Sequence, residues 1–314
     1  MHTGEVNVGG LPLTIETGKL AKQANGSVVV RYGDTMVLVT ACYSPHERDG
    51  IDFLPLTVDY RENTYASGRI PGGFFKREGK PPEKEVLTSR GIDRPIRPLF
   101  PAGWRHETQV VAFVISADKE NDSDVLALTG ASAALALSEI PFARTIAAVR
   151  VGLLDGELLI NPTFDQRRRG QLDLVVAGSK DALVMVEAGA KEVSEDDILR
   201  ALEAGHEAIR GIVDAIDTLV AAAGKTKLVL TATAPDADFA KEVEAQVLGP
   251  LADAMRTRDK LENYAAIDRV KDEYLATLPE DDPGRRAEDL ADGPAAIPDP
   301  QEPHGGCITF GNGQ

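Results

Sequence analysis

The chain has two cysteines in 314 residues, Cys42 and Cys307, too few for a disulfide framework or a four-ligand zinc site. A reducing compartment follows, and a cytoplasmic location is expected. Long apolar runs are missing too. None approaches the roughly 18 residues a bilayer span needs, and Met1-His2-Thr3-Gly4-Glu5 opens with no basic region leading into an apolar one. No membrane partner is expected. Aromatic residues supply only 5%, so Val, Leu, Ile and Ala must build the core, as suits an Ala-rich α/β fold. The five histidines, His2, His46, His106, His206 and His304, show no metal-ligand spacing, and there is neither a Gly-x-Gly-x-x-Gly nor a P-loop. Positive charge is scarce overall, with 34 Lys and Arg against 50 Asp and Glu, and a net charge of −16 repels a polyanion at long range.

What is present changes that last inference. A hydrophobic content of 43% excludes a disordered or fibrous chain. Between Arg61 and Arg105 ten basic residues face five acidic ones, while the remainder carries 24 basic and 45 acidic. A basic island interleaved with Gly, Pro and paired aromatics in an acidic chain marks a candidate polyanion site.

Strand-like and turn-like segments alternate along the first sixty residues. Ser27 to Arg31 and Met36 to Thr40 flank Tyr32-Gly33-Asp34-Thr35, predicting a hairpin with a four-residue loop. Gln109 to Ser116 predicts a strand, and any of Asp122, Ser123 and Asp124 could cap a small-residue helix from Val125 to Ser138. Ile146 to Leu154 and Glu157 to Ile160 flank Asp155-Gly156, and Leu172 to Ala177 with Ala182 to Glu187 repeat the hairpin pattern. Ser194-Glu195-Asp196-Asp197 has a capping-box form, and Ile198, Leu202, Ile209, Ile212, Val213, Ile216 and Leu219 continue it at helical spacing. A helical region then runs from Asp236 to about Leu278. From Pro279 the composition shifts to Asp, Pro and Gly, which predicts a linker or disordered tail. The closing Gly305-Gly306-Cys307-Ile308-Thr309-Phe310-Gly311 has the look of a chain ending before its next domain.

The richest stretch is Gly68-Arg69-Ile70-Pro71-Gly72-Gly73-Phe74-Phe75-Lys76-Arg77-Glu78-Gly79-Lys80. Pro71-Gly72-Gly73 forces a turn, placing Phe74 and Phe75 on a loop with Lys76, Arg77 and Lys80 directly after. Bases stack on exposed aromatic faces for about 1–3 kcal/mol each while cations neutralise phosphates, a pairing that suits single-stranded nucleic acid. The alternative is that both phenylalanines fold under the loop into a core. Glu83 to Arg94 predicts a short helix entered after Pro81-Pro82 and ended by Pro95 and Pro98. Arg90 and Arg94 share one face of it, and Arg97 extends the row toward successive phosphates. The alternative is a buried network in which Asp93 and nearby carboxylates take these arginines. Gly91 inside the helix has no local explanation.

Weaker signals remain. Asp122 with Asp124, or Asp165 with Asp173, could hold Mg²⁺, against simpler capping and turn roles. Arg167-Arg168-Arg169-Gly170 could touch phosphate, against a solvated hairpin loop.

At Phe74-Phe75-Lys76-Arg77 and Ile92-Asp93-Arg94-Pro95-Ile96-Arg97-Pro98-Leu99-Phe100 the sequence closely resembles the bacterial polynucleotide phosphorylases, specifically their first RNase PH-like core domain. The resemblance runs from about Glu5 to Leu278 and takes in Gly130 to Leu135 and Leu172 to Gly178. It implies an α/β (α+β) fold, with ribosomal protein S5 domain 2-like mixed sheets and packed helices over 1–224. It further implies an all-helical linker domain over 235–278 and a tail over 279–314, with a second core repeat, a KH domain and an OB-type domain absent after it. The family forms a homotrimeric ring that degrades RNA from the 3′ end with phosphate as nucleophile, releasing nucleoside diphosphates. By position Phe74, Phe75, Lys76, Arg77, Lys80, Arg90, Arg94 and Arg97 match the family's RNA grip.

Catalysis in that family belongs to the second core repeat, where two aspartates six positions apart precede a lysine by two and a serine pair binds phosphate. Matched here, those positions are Arg167, Asp173 and Val175, with Ser123 and Asp124 for the serines. The resemblance therefore implies no catalytic and no metal-binding residue in this chain. Mg²⁺ and inorganic phosphate are expected for the complete enzyme, and none bound to this chain alone. Single-stranded RNA, two further copies and RNA-degradation partners are the expected associates. A free-standing RNA-binding or assembly module is the competing reading, and a nucleoside-diphosphate-binding enzyme with its own site a distant third.

Overall fold

A computed structural model describes residues 1–47, 51, 53–230 and 237–278. The chain divides into two compact units, Met1–Thr231 and the residues from Ala232 on. In the first, β1 (His2–Val8), β2 (Leu11–Thr17), β3 (Gly26–Tyr32), β4 (Thr35–Glu47) and β5 (Leu56–Arg61) precede a 3₁₀ turn (Thr64–Ser67), α1 (Glu83–Ile96) and β6 (His106–Ser116). Then come α2 (Asp124–Leu137), β7 (Ala147–Leu154), β8 (Glu157–Ile160), α3 (Phe164–Arg169), β9 (Leu172–Gly178), β10 (Leu183–Ala190) and α4 (Glu195–Ala223).

The strands form two sheets, ordered β1-β2-β3-β4-β6-β5 and β10-β9-β7-β8. All pairings are antiparallel except β5 with β6, which run parallel because α1 carries the chain across between them. Valines and alanines of β3 and β4 alternate toward the core, and α2 packs on β3 and β4 on one side and on β7 on the other. Every residue of α2 after Asp124 is buried, which explains its run of small apolar side chains. A Cβ on Gly130 would stand 2.6 Å from Val39 Cγ2, so only glycine lets this helix sit so close to the sheet. The long helix α4, capped by the Ser194 hydroxyl on the Asp197 N–H, buries Ala201, Gly205, Ile209, Ile212, Val213, Ile216 and Leu219 against β7, β1 and β9.

Several expectations need correction. The β3–β4 loop has two residues, Gly33 and Asp34, because Tyr32 stays in register with Thr35 and sends its hydroxyl into the core to donate to Val8 O. Helix α1 does not stop at Arg94. It runs through Pro95 to Ile96, since Ile92 and Ile96, four apart and both buried, hold the last turn against the core despite the missing donor. Gly91 lies on the open side of this helix, where a Cβ would meet nothing within 4 Å. Arg167 to Arg169 are not a hairpin loop but the last turn of α3, which Thr163 and Gln166 start with a reciprocal capping box. At α2 the N-cap position is Ser123, whose side chain makes no capping bond; the flanking aspartates are engaged elsewhere.

The second unit contains α5 (Ala237–Met255) and α6 (Lys260–Thr277), two helices within the helical region read from the sequence. Asp259 caps α6 through the Leu261 and Glu262 N–H groups, and the Asn263 amide donates to Ala254, Met255 and Thr257 carbonyls to close the turn. The tail expected over 279–314 lies outside the described residues.

Candidate nucleic-acid interface

Two clusters of chemistry flank α1. On its approach, Phe74 is 93% and Phe75 75% exposed, so neither fills a core under the loop. Their rings meet edge to face at 5.5 Å, and the Arg77 guanidinium lies 5.3 Å over the Phe75 ring. Lys76 and Lys80 are exposed beside them. On α1, Arg90 and Arg94 are exposed one turn apart, and among the described residues neither has an ion-pair partner. The loop and the helix that follows it in the chain together offer two aromatic platforms and five unburied cations.

Arg97 differs from the rest of its row. Its Nε and Nη2 donate to both Asp93 oxygens at 3.1 and 2.8 Å, and Nη1 and Nη2 also donate to Leu54 O and Leu56 O. Each of its three nitrogens donates within the protein, so Arg97 fastens the end of α1 to the chain entering β5, as the network alternative expects.

Behind α1 lies a cleft of about 620 Å³ between α1, the start of α2, and β7, β9 and β10. Its floor is a lattice of charge. Arg150 of β7, 7% exposed, bonds Asp124 and Asp173; Arg167 of α3 bonds Asp122 at 2.6 Å and Asp173 at 2.9 Å; Lys84 of α1 bonds Asp122 at 3.0 Å and Glu62 at 2.7 Å. Tyr60 adds its hydroxyl toward Glu62 and Ser123, and burial followed by the Glu62 charge pushes that hydroxyl well up, so it stays protonated. Burial alone would raise the Asp122 and Asp173 carboxyls. At Asp122 the nearby Lys84, Arg150 and Arg167 outweigh it, and at Asp173 the two arginines do, holding both below the ordinary range. Burial and the Asp122 charge push Asp124 up, with Arg150 pulling the other way.

These carboxylates do not fit a divalent cation. Each already accepts from a guanidinium or ammonium, and among the described residues no group of three or more His, Cys, Asp or Glu could hold a metal ion. The Mg²⁺ option weighed for Asp122 with Asp124 thus gives way to ion pairing, and Asp165 with Asp173 does not form a pair: Asp165 sits exposed with Arg168 and Arg169.

Residues 10–141 match the 3′ exoribonuclease family, domain 1, and residues 145–208 match domain 2 of the same family. The chain belongs to the 3′ exoribonuclease family. Among its relatives in that family, the polyribonucleotide nucleotidyltransferase of Acidobacterium capsulatum is 52% identical over 276 residues, 87% of this chain and 34% of that protein. The protein of the same name from Rhodopseudomonas palustris strain BisB5 is 52% identical over 275 residues, 88% of this chain and 38% of its own length. The chain thus spans little more than a third of the curated relatives it matches. The crystal structure of rice (Oryza sativa) Rrp46 has the same fold, with a TM-score of 0.56 at 20% identity, covering 67% of this chain and 94% of that one.

Within this exoribonuclease fold, sequence reasoning found the aromatic-basic loop and the arginine row but missed the parts of the lattice supplied by Lys84, Glu62, Tyr60 and Arg150. One signal was available: Arg150 is a lone charge inside the apolar run Ile146 to Leu154, and a buried arginine demands carboxylates.

Proposed function

We propose that this chain is the RNA-guiding, non-catalytic part of a polyribonucleotide nucleotidyltransferase, a phosphorolytic 3′-to-5′ exoribonuclease of RNA degradation. The observation that carries the reading is the exposed Phe74-Phe75 pair set beside Arg77 and the outward Arg90 and Arg94. Successive bases stack on such rings without being read, while Lys76, Arg77, Lys80, Arg90 and Arg94 neutralise the backbone, so the strand is gripped yet free to move by one nucleotide at a time.

Phosphorolysis needs a held phosphate, charge stabilisation at the phosphoryl group and an acid for the leaving oxygen. At the positions matching the family's catalytic set this chain has Arg167, Asp173 and Val175. Arg167 is locked onto two aspartates, and Val175 has no charge to offer phosphate. Chemistry with Mg²⁺ and inorganic phosphate therefore belongs to the rest of the complete enzyme, as a cytoplasmic homotrimer with RNA as substrate.

The test is binding of single-stranded RNA at several salt concentrations beside an assay for phosphate-dependent release of nucleoside diphosphates. Binding that falls with salt, without diphosphate release, is the expected result. Release of diphosphates by this chain alone overturns the non-catalytic reading, and absence of RNA binding overturns the guiding one.

A further inference from the structure

The segment carrying Phe74 and Phe75 leaves the body of the protein at the 3₁₀ turn Thr64–Ser67 and returns at Pro81-Pro82. Its departure point is firmly fixed. Ala117 N–H, just past β6, donates to Ala66 O at 3.0 Å, and Gly68 and Arg69 N–H groups close on Tyr65 O and Thr64 O at 2.9 and 3.2 Å. What the turn lacks is a local cap: Asn63 makes no side-chain capping bond, which leaves the Thr64 N–H without a neighbour to accept it.

Glu78, fourteen positions further on, supplies that acceptor. Its Oε1 accepts the Thr64 N–H at 2.7 Å and its Oε2 accepts the Thr64 hydroxyl at 3.0 Å. Both oxygens of one carboxylate are spent on one residue, and the bonds are charge-assisted. The far side of the loop, three residues past Phe75, is thereby tied to a turn anchored on β6. Between the two ends the backbone takes left-handed conformations at Gly68, Gly73 and the non-glycine Lys76, with φ of 70, 77 and 49°. A loose segment samples such a combination rarely, so closing the base restricts what the tip can do.

Charge makes the residue conspicuous. Glu78 is an acid between Arg77 and Lys80, on the face that meets phosphates, where it weakens the attraction. We propose that Glu78 is a positioning residue that clasps Thr64 and so presents Phe74 and Phe75 to single-stranded RNA in one geometry. The inference rests on the RNA-guiding reading of this same face and adds the residue that shapes it.

Charge and clasp give opposite answers when the same charge is removed in two ways. Glu78→Gln deletes the charge but keeps a carbonyl for the Thr64 N–H and an amide for its hydroxyl oxygen. Glu78→Ala deletes the charge and the clasp together. Binding of a single-stranded oligouridine by the full chain is expected to be as tight or tighter in the Gln variant, and about three- to tenfold weaker in the Ala variant than in the Gln variant. Thr64→Val, which removes only the hydroxyl half, should fall between them. Hydrogen exchange at the Thr64 amide should be slow in the wild type and the Gln variant and fast in the Ala variant. Equal binding by the Gln and Ala variants, with Phe75→Ala still weakened, overturns the clasp and leaves the guiding role standing. If the wild type binds no oligouridine, both readings are overturned.

Discussion

Arg167 and Asp173 stand six residues apart, one at the end of α3 and one on β9, and two guanidinium nitrogens of Arg167 converge on a single Asp173 oxygen at 3.2 and 2.9 Å. The other Asp173 oxygen goes to Arg150. Arg167 also donates to Asp122 at 2.6 Å, so it fills the space between the two aspartates, and Lys84 and Arg150 supply the rest of the opposing charge. The cleft that family resemblance marks as a reaction centre is, in this chain, a junction of α1, α2, α3, β7 and β9.

Arg150 is the centre of that junction. Arg150→Met is expected to destabilise the protein by about 3–5 kcal/mol, because it strands the buried Asp124 and leaves Asp173 half-paired. Denaturant unfolding with an unchanged slope checks this; a loss under about 1 kcal/mol contradicts it.

Acid should find the same junction. The folded Asp122 and Asp173 carboxyls lie below their unfolded value of about 3.9, so their contribution is complete above that pH and is lost as pH falls through the folded values. Stability measured from about pH 6 to pH 2 should drop steeply below about pH 4. In Asp173→Asn, already weaker at neutral pH, the drop should be shallower.

Phe75→Ala should cost about 1–3 kcal/mol of RNA affinity, uniformly across sequences, and leave the melting temperature unchanged, since the ring is 75% exposed. Calorimetric melting beside a binding titration separates the two effects.

Arg94→Ala and Arg97→Ala should part company although they are three residues apart. The first is expected to weaken RNA binding and reduce its salt slope by about 1 with no change in stability. The second is expected to lower stability by about 1–3 kcal/mol through the lost bonds to Asp93, Leu54 and Leu56, with the salt slope of RNA binding intact. Reversed results would exchange their roles.

Local pattern carried the sequence reading wherever one face or one turn decides the structure. The period-two runs of β3, β4 and β7, the Ser194 start of α4 and the Phe74-Phe75 loop are all legible from neighbours in the chain. The failures have one cause, that distant contacts outvote local preference. Pro95 stays helical because Ile92 and Ile96 are buried on partners that the sequence does not name. Asp122 and Asp124, good capping residues by type, are drawn to Lys84, Arg150 and Arg167, which lie 26 to 45 positions away. Arg97 sits in the same row as Arg90 and Arg94, and only the fold shows that Asp93 and two carbonyls claim it.

The lattice around Arg150 holds the domain together with charges that all come from the chain itself. Lys84, Arg150 and Arg167 bring three positive charges to Asp122, Asp124, Asp173 and Glu62, and every one of these carboxylates has a cationic partner. Chelation is therefore expected to leave the stability of this part of the domain unchanged. Its melting point should be the same in EDTA as in millimolar magnesium, and a lower one in EDTA would show that a cation shares these carboxylates.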